Sequence, residues 1–266
     1  MSPAREILDA LVRRVPSELP VALVAAHPDD ETIGFGASLR LFPRMLLVHV
    51  TDGAPRNLQD ARDAGFDTAA EYAQARRREL AAALKEAGAK PELAELGATD
   101  QEASLHLAEL AAALAEHFAD FRPACVFSHS YEGGHPDHDA ACFITQEACR
   151  RLDPVPAILE MTSYHAGLGG EMILGGFVGE PAAAVIVLDD VERVRRREML
   201  DCFVTQGGTL DTFRDMEHEA FRVAPTYDFE QPPHPGGLWY ERHAWGMTGA
   251  RWRALAGEAL ALCRGG

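Results

Sequence analysis

Two short stretches hold most of the side chains in this 266-residue chain that could do chemistry. The first is "AHPDDE" (Ala26–Glu31), and the second is "HPDH" (His135–His138). His27 and Asp30 are three residues apart across a turn, a spacing that lets both side chains converge on one ion. Two imidazoles and a carboxylate, with one position left open, suit a catalytic zinc or ferrous ion. A blander reading is available, because Asp29 or Asp30 alone could cap a helix beginning near Glu31. The presence of two such clusters, each after an apolar run, favours the metal.

The elements that must position these residues follow from hydropathy. "VALVAA" (Val21–Ala26), "MLLVHVT" (Met45–Thr51), "LAELG" (Leu93–Gly97) and "ACVFSHS" (Ala124–Ser130) read as buried strands. "AILEMTSY" (Ala157–Tyr164) and "AAAVIVL" (Ala182–Leu188) read as further strands. A helix is expected from about Thr68 to Ala87, with Asp67 as N-cap and Gly88 past its end. A second is expected to start near Asp100, where Leu107, Leu110, Leu114, Phe118 and Phe121 keep helical spacing, and a third after Asp189. Strands alternating with helices predict a Rossmann-like α/β fold, a mostly parallel sheet flanked by helices. Ligands of such sheets lie beyond the carboxyl ends of the strands. "AHPDDE", "TDG" (Thr51–Gly53) and the segment holding "HPDH" all follow strands. From about residue 205 to 245 the texture turns rich in Pro, Gly and aromatics, so a single domain with an irregular substrate-side or interface extension is expected.

Glycines after the first strand suggest a dinucleotide loop, and the spacing rejects it. Gly34-Phe35-Gly36 runs on to Leu39 where a third glycine should fall, and three acids beside a pyrophosphate would repel it.

"AHPDDE" paired with "HPDH" resembles the PIG-L/LmbE family of zinc-dependent N-acetylglucosaminyl deacetylases. "TDG" and an R-x-x-E (Arg76…Glu79) strengthen the resemblance, which covers roughly the first 150 residues. It implies His27, Asp30 and His138 as metal ligands and Asp29 as general base on the attacking water. It further implies His135 as oxyanion stabiliser and acid for the leaving amine, with Asp137 orienting it. The chemistry is coherent, since a zinc ion lowers the pKa of a water to about 7 and polarises an amide carbonyl. The expected function is removal of an N-acyl group, acetyl in the first instance, from an N-acetylglucosamine-type sugar or conjugate. An amidase acting on a larger N-acyl or thiol conjugate is the first alternative. A non-catalytic metal-containing sugar-binding protein is the second. Zn2+ is the cofactor the resemblance implies, and Fe2+ suits the same ligands.

Other residues are weighed against ordinary roles. Asp52 and Arg56 are candidate contacts to substrate hydroxyls, against a turn-forming aspartate and a surface arginine. His234, Trp239 and Tyr240, with Tyr227, could stack on a sugar ring, against simple loop packing. Arg76 and Glu79 read as an i,i+3 ion pair. Glu31 reads as serving the helix start or supporting a ligand from behind, His129 as a strand-end core histidine in preference to such a supporting contact, and Cys142 as a small buried hydrophobe.

A net charge of −16 argues against nucleic acid and anionic membranes as partners. The arginine clusters at 76–78 and 193–197 read as solvated helix faces. Five cysteines without C-x-x-C spacing point to a reducing, cytoplasmic setting. No run of about 18 apolar residues marks a membrane helix. A small-molecule amino-sugar conjugate is the partner that the resemblance implies, and a homo-oligomer is an open expectation.

Overall fold

The computed structural model describes residues 2–179 and 181–265. Helix α1 (Pro3–Arg13) leads into strand β1 (Val21–Ala25), the short helix α2 (Asp30–Phe35) and strand β2 (Met45–Thr51). Helices α3 (Gln59–Asp63) and α4 (Ala69–Ala87) precede β3 (Glu92–Ala98); α5 (Leu107–Phe121), β4 (Cys125–Ser128) and α6 (Pro136–Cys149) follow. The chain continues through β5 (Ala157–Met161), β6 (Tyr164–Ala166), β7 (Met172–Leu174), β8 (Ala184–Val187) and α7 (Asp190–Asp201). It ends with α8 (Gly207–Leu210), β9 (His218–Val223) and α9 (Gly249–Gly265).

Seven strands form one sheet in the order β3-β2-β1-β4-β5-β9-β8. The first five run parallel, and β9 and β8 join antiparallel, so the Rossmann-like expectation holds with a mixed edge. The pleat explains why β1 and β2 read as unbroken apolar runs: they are buried on both faces. Ala22, Val24, Leu46 and Val48 pack with α5, α6 and α9; Val21, Leu23, Met45 and Leu47 pack with α1, α4 and α7.

Local chemistry fixes the helix ends. Gly88 takes φ 68° past α4, as the sequence suggests, but the N-cap is Thr68 rather than Asp67, its side chain accepting from the Glu71 amide. Asp189 and Glu192 close a reciprocal capping box on α7. The helix expected near Asp100 begins later, at Leu107, because Asp100 is diverted into the cleft described below. Gly34 allows α2 to lie against β5: a Cβ there would come 2.8 Å from the Thr162 carbonyl oxygen. Gly34 therefore serves helix–sheet packing.

The segment read as one strand from Ala157 to Tyr164 breaks after Met161, and Tyr164 starts a separate hairpin of β6 and β7. The tract from residue 205 is less irregular than its composition suggests, since β9 lies inside the main sheet between β5 and β8. Two arginines of the supposed solvated clusters are buried: Arg76 in the cleft, and Arg196 donating to the carbonyls of Phe213 and Met216. No described helix is long and apolar enough to cross a membrane.

Glu219 on β9 accepts from the Ala37 amide at 2.7 Å and from Ser38 Oγ at 2.5 Å, tying the end of α2 to the sheet. Burial pushes its carboxyl up to about 7, with the Ser38 and Ala37 bonds opposing the rise. A raised carboxyl pKa stabilises the fold below the unfolded-state value, and that contribution is lost as pH rises through about 7. Urea midpoints of wild type and Glu219→Gln should therefore agree more closely at about pH 5.5, and the variant should gain on wild type by about pH 8.5. An equal difference at both pH values would contradict this.

Candidate functional site

Strand order reverses between β1 and β4, and the crevice beyond their carboxyl ends is where this architecture places a ligand. His27 follows β1, His129 follows β4, and Asp100 follows β3. The N-terminus of α6 delivers His135, Asp137 and His138 from the other side. Trp252 of α9 donates from Nε1 to the Pro136 carbonyl at 3.0 Å and pins that turn.

Asp30 stands at the centre. Its Oδ1 lies 3.1 Å from His138 Nε2, and its Oδ2 lies 3.2 Å from His27 Nδ1 and 3.4 Å from His129 Nε2. Ligand atoms around a tetrahedral zinc, each about 2.0–2.1 Å from it, are separated by roughly the same distance. His27 Nε2 is bonded to Asp137 Oδ2 at 3.3 Å and sits 3.1 Å from Asp100 Oδ1, which is off hydrogen-bond geometry. A carboxylate on the outer nitrogen of a histidine is how proteins commonly orient a metal ligand. Among the described residues, His27–His135–His138, His27–Asp100–His135–Asp137 and Asp30–His129–His138 each bring ligand atoms within 4.8 Å of one another. His27 is desolvated, which lowers its pKa, yet Asp100, Asp137 and Asp30 together hold it well above the ordinary range. The acids thus draw positive charge into the site, and the donor set fits a divalent cation.

Asp29 stands apart from that cluster. Its Oδ2 accepts from buried Arg76 Nη2 at 2.8 Å, and Arg76 also donates to the carbonyls of Pro28 at 3.0 Å and Gly53 at 2.9 Å. Burial pushes the Asp29 carboxyl up to about 7, against the pull of Arg76. Glu79, the expected partner of Arg76, binds Thr205 instead, through its amide at 2.9 Å and its Oγ1 at 2.6 Å. The i,i+3 pair does not form because Arg76 points into the cleft.

His135 caps α6, its Nδ1 accepting from the Asp137 amide at 3.2 Å. That bond assigns the ring proton to Nε2, and burial with His27 and His138 nearby keeps the ring neutral. A neutral imidazole held this way can donate to an oxyanion. It has no second proton for a leaving amine. The Asp137 carboxylate does not orient His135 either: it lies 3.9 Å from Nδ1 and instead accepts from the amides of Gln101 at 2.6 Å and Ala103 at 3.1 Å.

His129 is more than a core histidine, since it stacks on His138 at 4.0 Å and faces Asp30. Glu31 is buried against His49 Nε2 at 3.1 Å and plays no part in the cleft. Cys142 is buried in the core, as its sequence context suggests.

The cleft is a cavity of ≈ 220 Å³ lined on one side by His27, Asp29, Asp30, His135 and His138, with Tyr164, Leu210, Phe213 and Trp245 facing them. The sequence-proposed substrate contacts are elsewhere. Asp52 accepts from the amides of Ala54 and Asp100, a turn role that positions Asp100. Arg56 pairs with Glu102 on the surface, His234 caps its own turn at Gly236, and Trp239 packs with Arg242. Tyr240 is core, at 1% exposure. Tyr227 donates to Glu160 at 2.7 Å. The aromatic wall is Trp245, whose ring lies 4.5 Å from that of His135, together with Tyr164. Trp245 sits in the same aromatic-rich tract and differs from its neighbours only in where its loop turns.

The fold and site define an α/β protein with a histidine–carboxylate centre, able to hold a metal ion, at the switch point of its sheet. Residues 22–149 match the PIG-L family model, described as GlcNAc-PI de-N-acetylase. Comparison with curated proteins gives no match. Among solved structures the chain is similar to N,N'-diacetylchitobiose deacetylase from Pyrococcus horikoshii, with TM-score 0.58 and 17% identity over 85% of this chain and 94% of that one. It is similar to a zinc-inhibited form of teicoplanin deacetylase Orf2, with TM-score 0.54 and 15% identity over 76% and 96%. A third structure is GalB, the 4-carboxy-2-hydroxymuconate hydratase from Pseudomonas putida KT2440, with TM-score 0.55 and 16% identity over 79% and 100%. Likeness at this identity speaks to the fold, and a hydratase on the same fold means the chemistry must be argued from side chains.

Proposed function

We propose that this protein is a metal-dependent amide hydrolase that removes an N-acyl group, acetyl in the first instance, from an amino sugar or its conjugate. The observation that carries the reading is the convergence of His27, Asp30 and His138 with Asp29 held separately on Arg76. A pure binding site has no need of a free carboxylate beside its cation. Two adjacent acids with different partners do have a use: one ligates and the other moves a proton.

In this reading His27, Asp30 and His138 hold the cation, which supplies Lewis acidity toward an amide carbonyl and acidifies a water. Asp29 takes the proton of the attacking water. His135 donates its Nε2–H to the oxygen of the tetrahedral adduct. With no spare proton on His135, Asp29 also delivers its proton to the departing amine, and the products are a free amino sugar and a carboxylic acid. Arg76 fixes Asp29 in place throughout, and Asp137 and Asp100 set the ring of His27. Trp245 and Tyr164 wall the cleft.

The match to the family model supports the amino sugar, and Zn2+ or Fe2+ both suit the ligand set. The teicoplanin neighbour is described in a zinc-inhibited form, so metal identity has to be measured for this chain. The test is a panel of N-acetyl and longer N-acyl glucosamine derivatives assayed with protein loaded with each metal, identifying the acid released. Acetate release supports the proposal. Release only of longer acids favours the amidase alternative, and no acid from any derivative with metal bound contradicts hydrolysis.

A further inference from the structure

The cleft is small. Its ≈ 220 Å³ falls below the roughly 300–1,000 Å³ of cavities that enclose a drug-sized ligand, so it accommodates one ring-sized fragment. Anything attached to that fragment must leave through the mouth, which is edged by Asp60, Gln206 and Thr209. The same three residues line a second cavity of ≈ 350 Å³. Asp63, Ala64, Val204 and Thr205 carry that cavity into a third, of ≈ 580 Å³. The three cavities thus adjoin one another through shared lining residues, along a groove between the α3–α4 region and the segment around residues 202–209.

Fixed bonds join the two sides of the groove and set their relative position. Glu79 of α4 grips Thr205 through both amide and hydroxyl, and Gln206 Nε2 donates to Tyr72 Oη on the same helix. Its chemistry changes along its length. Near the cleft lies Asp60, whose carboxylate has no hydrogen-bond or ion-pair partner among the described residues, followed by Asp63, which Gln59 Nε2 contacts at 2.9 Å. Farther out the apolar wall is Phe66, Ala75, Ala82, Cys202 and Val204, the last 81% exposed, with Arg78 and the Thr205-bound Glu79 beside it. A lone exposed valine needs no explanation, but this one forms the wall of a concavity that runs to the catalytic cleft.

We infer that the groove seats the aglycone of the substrate, a group that is neutral or basic next to the sugar and a hydrocarbon chain farther out. A phosphodiester at the first position would face Asp60 and Asp63 at close range, and like charges there cost binding. This inference rests on the amide-hydrolase reading for the identity of the sugar, and it is tested by binding, which needs no turnover. Binding of N-acetylglucosamine, its octyl β-glycoside and its 1-phosphate is measured calorimetrically on metal-loaded protein, with acetate release followed in parallel.

The octyl glycoside should bind at least about tenfold more tightly than the free sugar, the worth of about two buried methylenes. Val204→Asp should bring that ratio down toward one, and because Val204 is exposed the variant keeps its fold. The 1-phosphate should bind more weakly than the free sugar, and Asp60→Lys should reverse that order. Equal binding of octyl glycoside and free sugar, or a ratio untouched by Val204→Asp, overturns the groove assignment. Tight binding of the glycoside without acetate release upholds the groove and overturns the catalytic reading instead.

Discussion

Asp29→Asn should lower kcat by about 10²–10⁴-fold, the usual contribution of a positioned proton-transfer group, while the protein retains its metal. Asparagine keeps the shape of the side chain and an oxygen that Arg76 can still contact. It cannot accept a proton from water. The proposed ligands His27, Asp30 and His138 are untouched, so metal content measured by elemental analysis should match wild type. Loss of activity together with loss of metal would make Asp29 a ligand rather than a base. Near-normal turnover with full metal would remove it from the mechanism.

Arg76→Met should produce the largest loss of stability, about 3–5 kcal/mol by urea denaturation, because it leaves a buried carboxylate without its counter-charge. The substitution also takes donors from two backbone carbonyls, those of Pro28 and Gly53. Adding Asp29→Asn to Arg76→Met should recover part of that loss, since the orphaned anion is then gone; the two effects should not add. A cost under about 1 kcal/mol for Arg76→Met would mean the pair behaves as a solvated surface bridge. Additivity would mean that the two residues are not energetically coupled.

Arg76 also marks the limit of what the sequence could tell. Its spacing from Glu79 invites a local ion pair, yet its acidic partner is Asp29 and Glu79's partner is Thr205, 47 and 126 residues distant respectively. Helical periodicity reports neighbours on one helix and is silent about what faces the helix. Asp100 was hidden for a related reason. It follows the edge strand β3, which is mostly exposed rather than buried as its sequence suggests, and an acid before a helix reads as a cap. Only the sheet order shows that β3, β1 and β4 end at one crevice.

Where the signal was local, it carried through. The unbroken apolar runs of β1 and β2 follow from burial on both faces, and Gly88 stands at a left-handed turn that few other residues tolerate. Strand β9 was missed because "HEAFRV" places Glu219 and Arg222 in the interior, where their partners Ala37, Ser38 and Glu160 are far away in sequence. Charged residues in a buried strand mask the pattern that would reveal it. Among the aromatics of the last third, composition flagged the tract, while Trp245 rather than Tyr240 reached the cleft, a choice made by loop geometry.

The central claim is that His27, Asp30 and His138 hold a divalent cation on which amide hydrolysis depends. The direct measurement is a calorimetric titration of chelator-treated protein with Zn2+ and with Fe2+, following acetate release from an N-acetylglucosamine conjugate at each step. The expected result is a single ion bound per chain, with activity rising in step with occupancy and both lost in Asp30→Ala. Acetate release that persists in fully metal-free protein, or unchanged metal binding in Asp30→Ala, would contradict it.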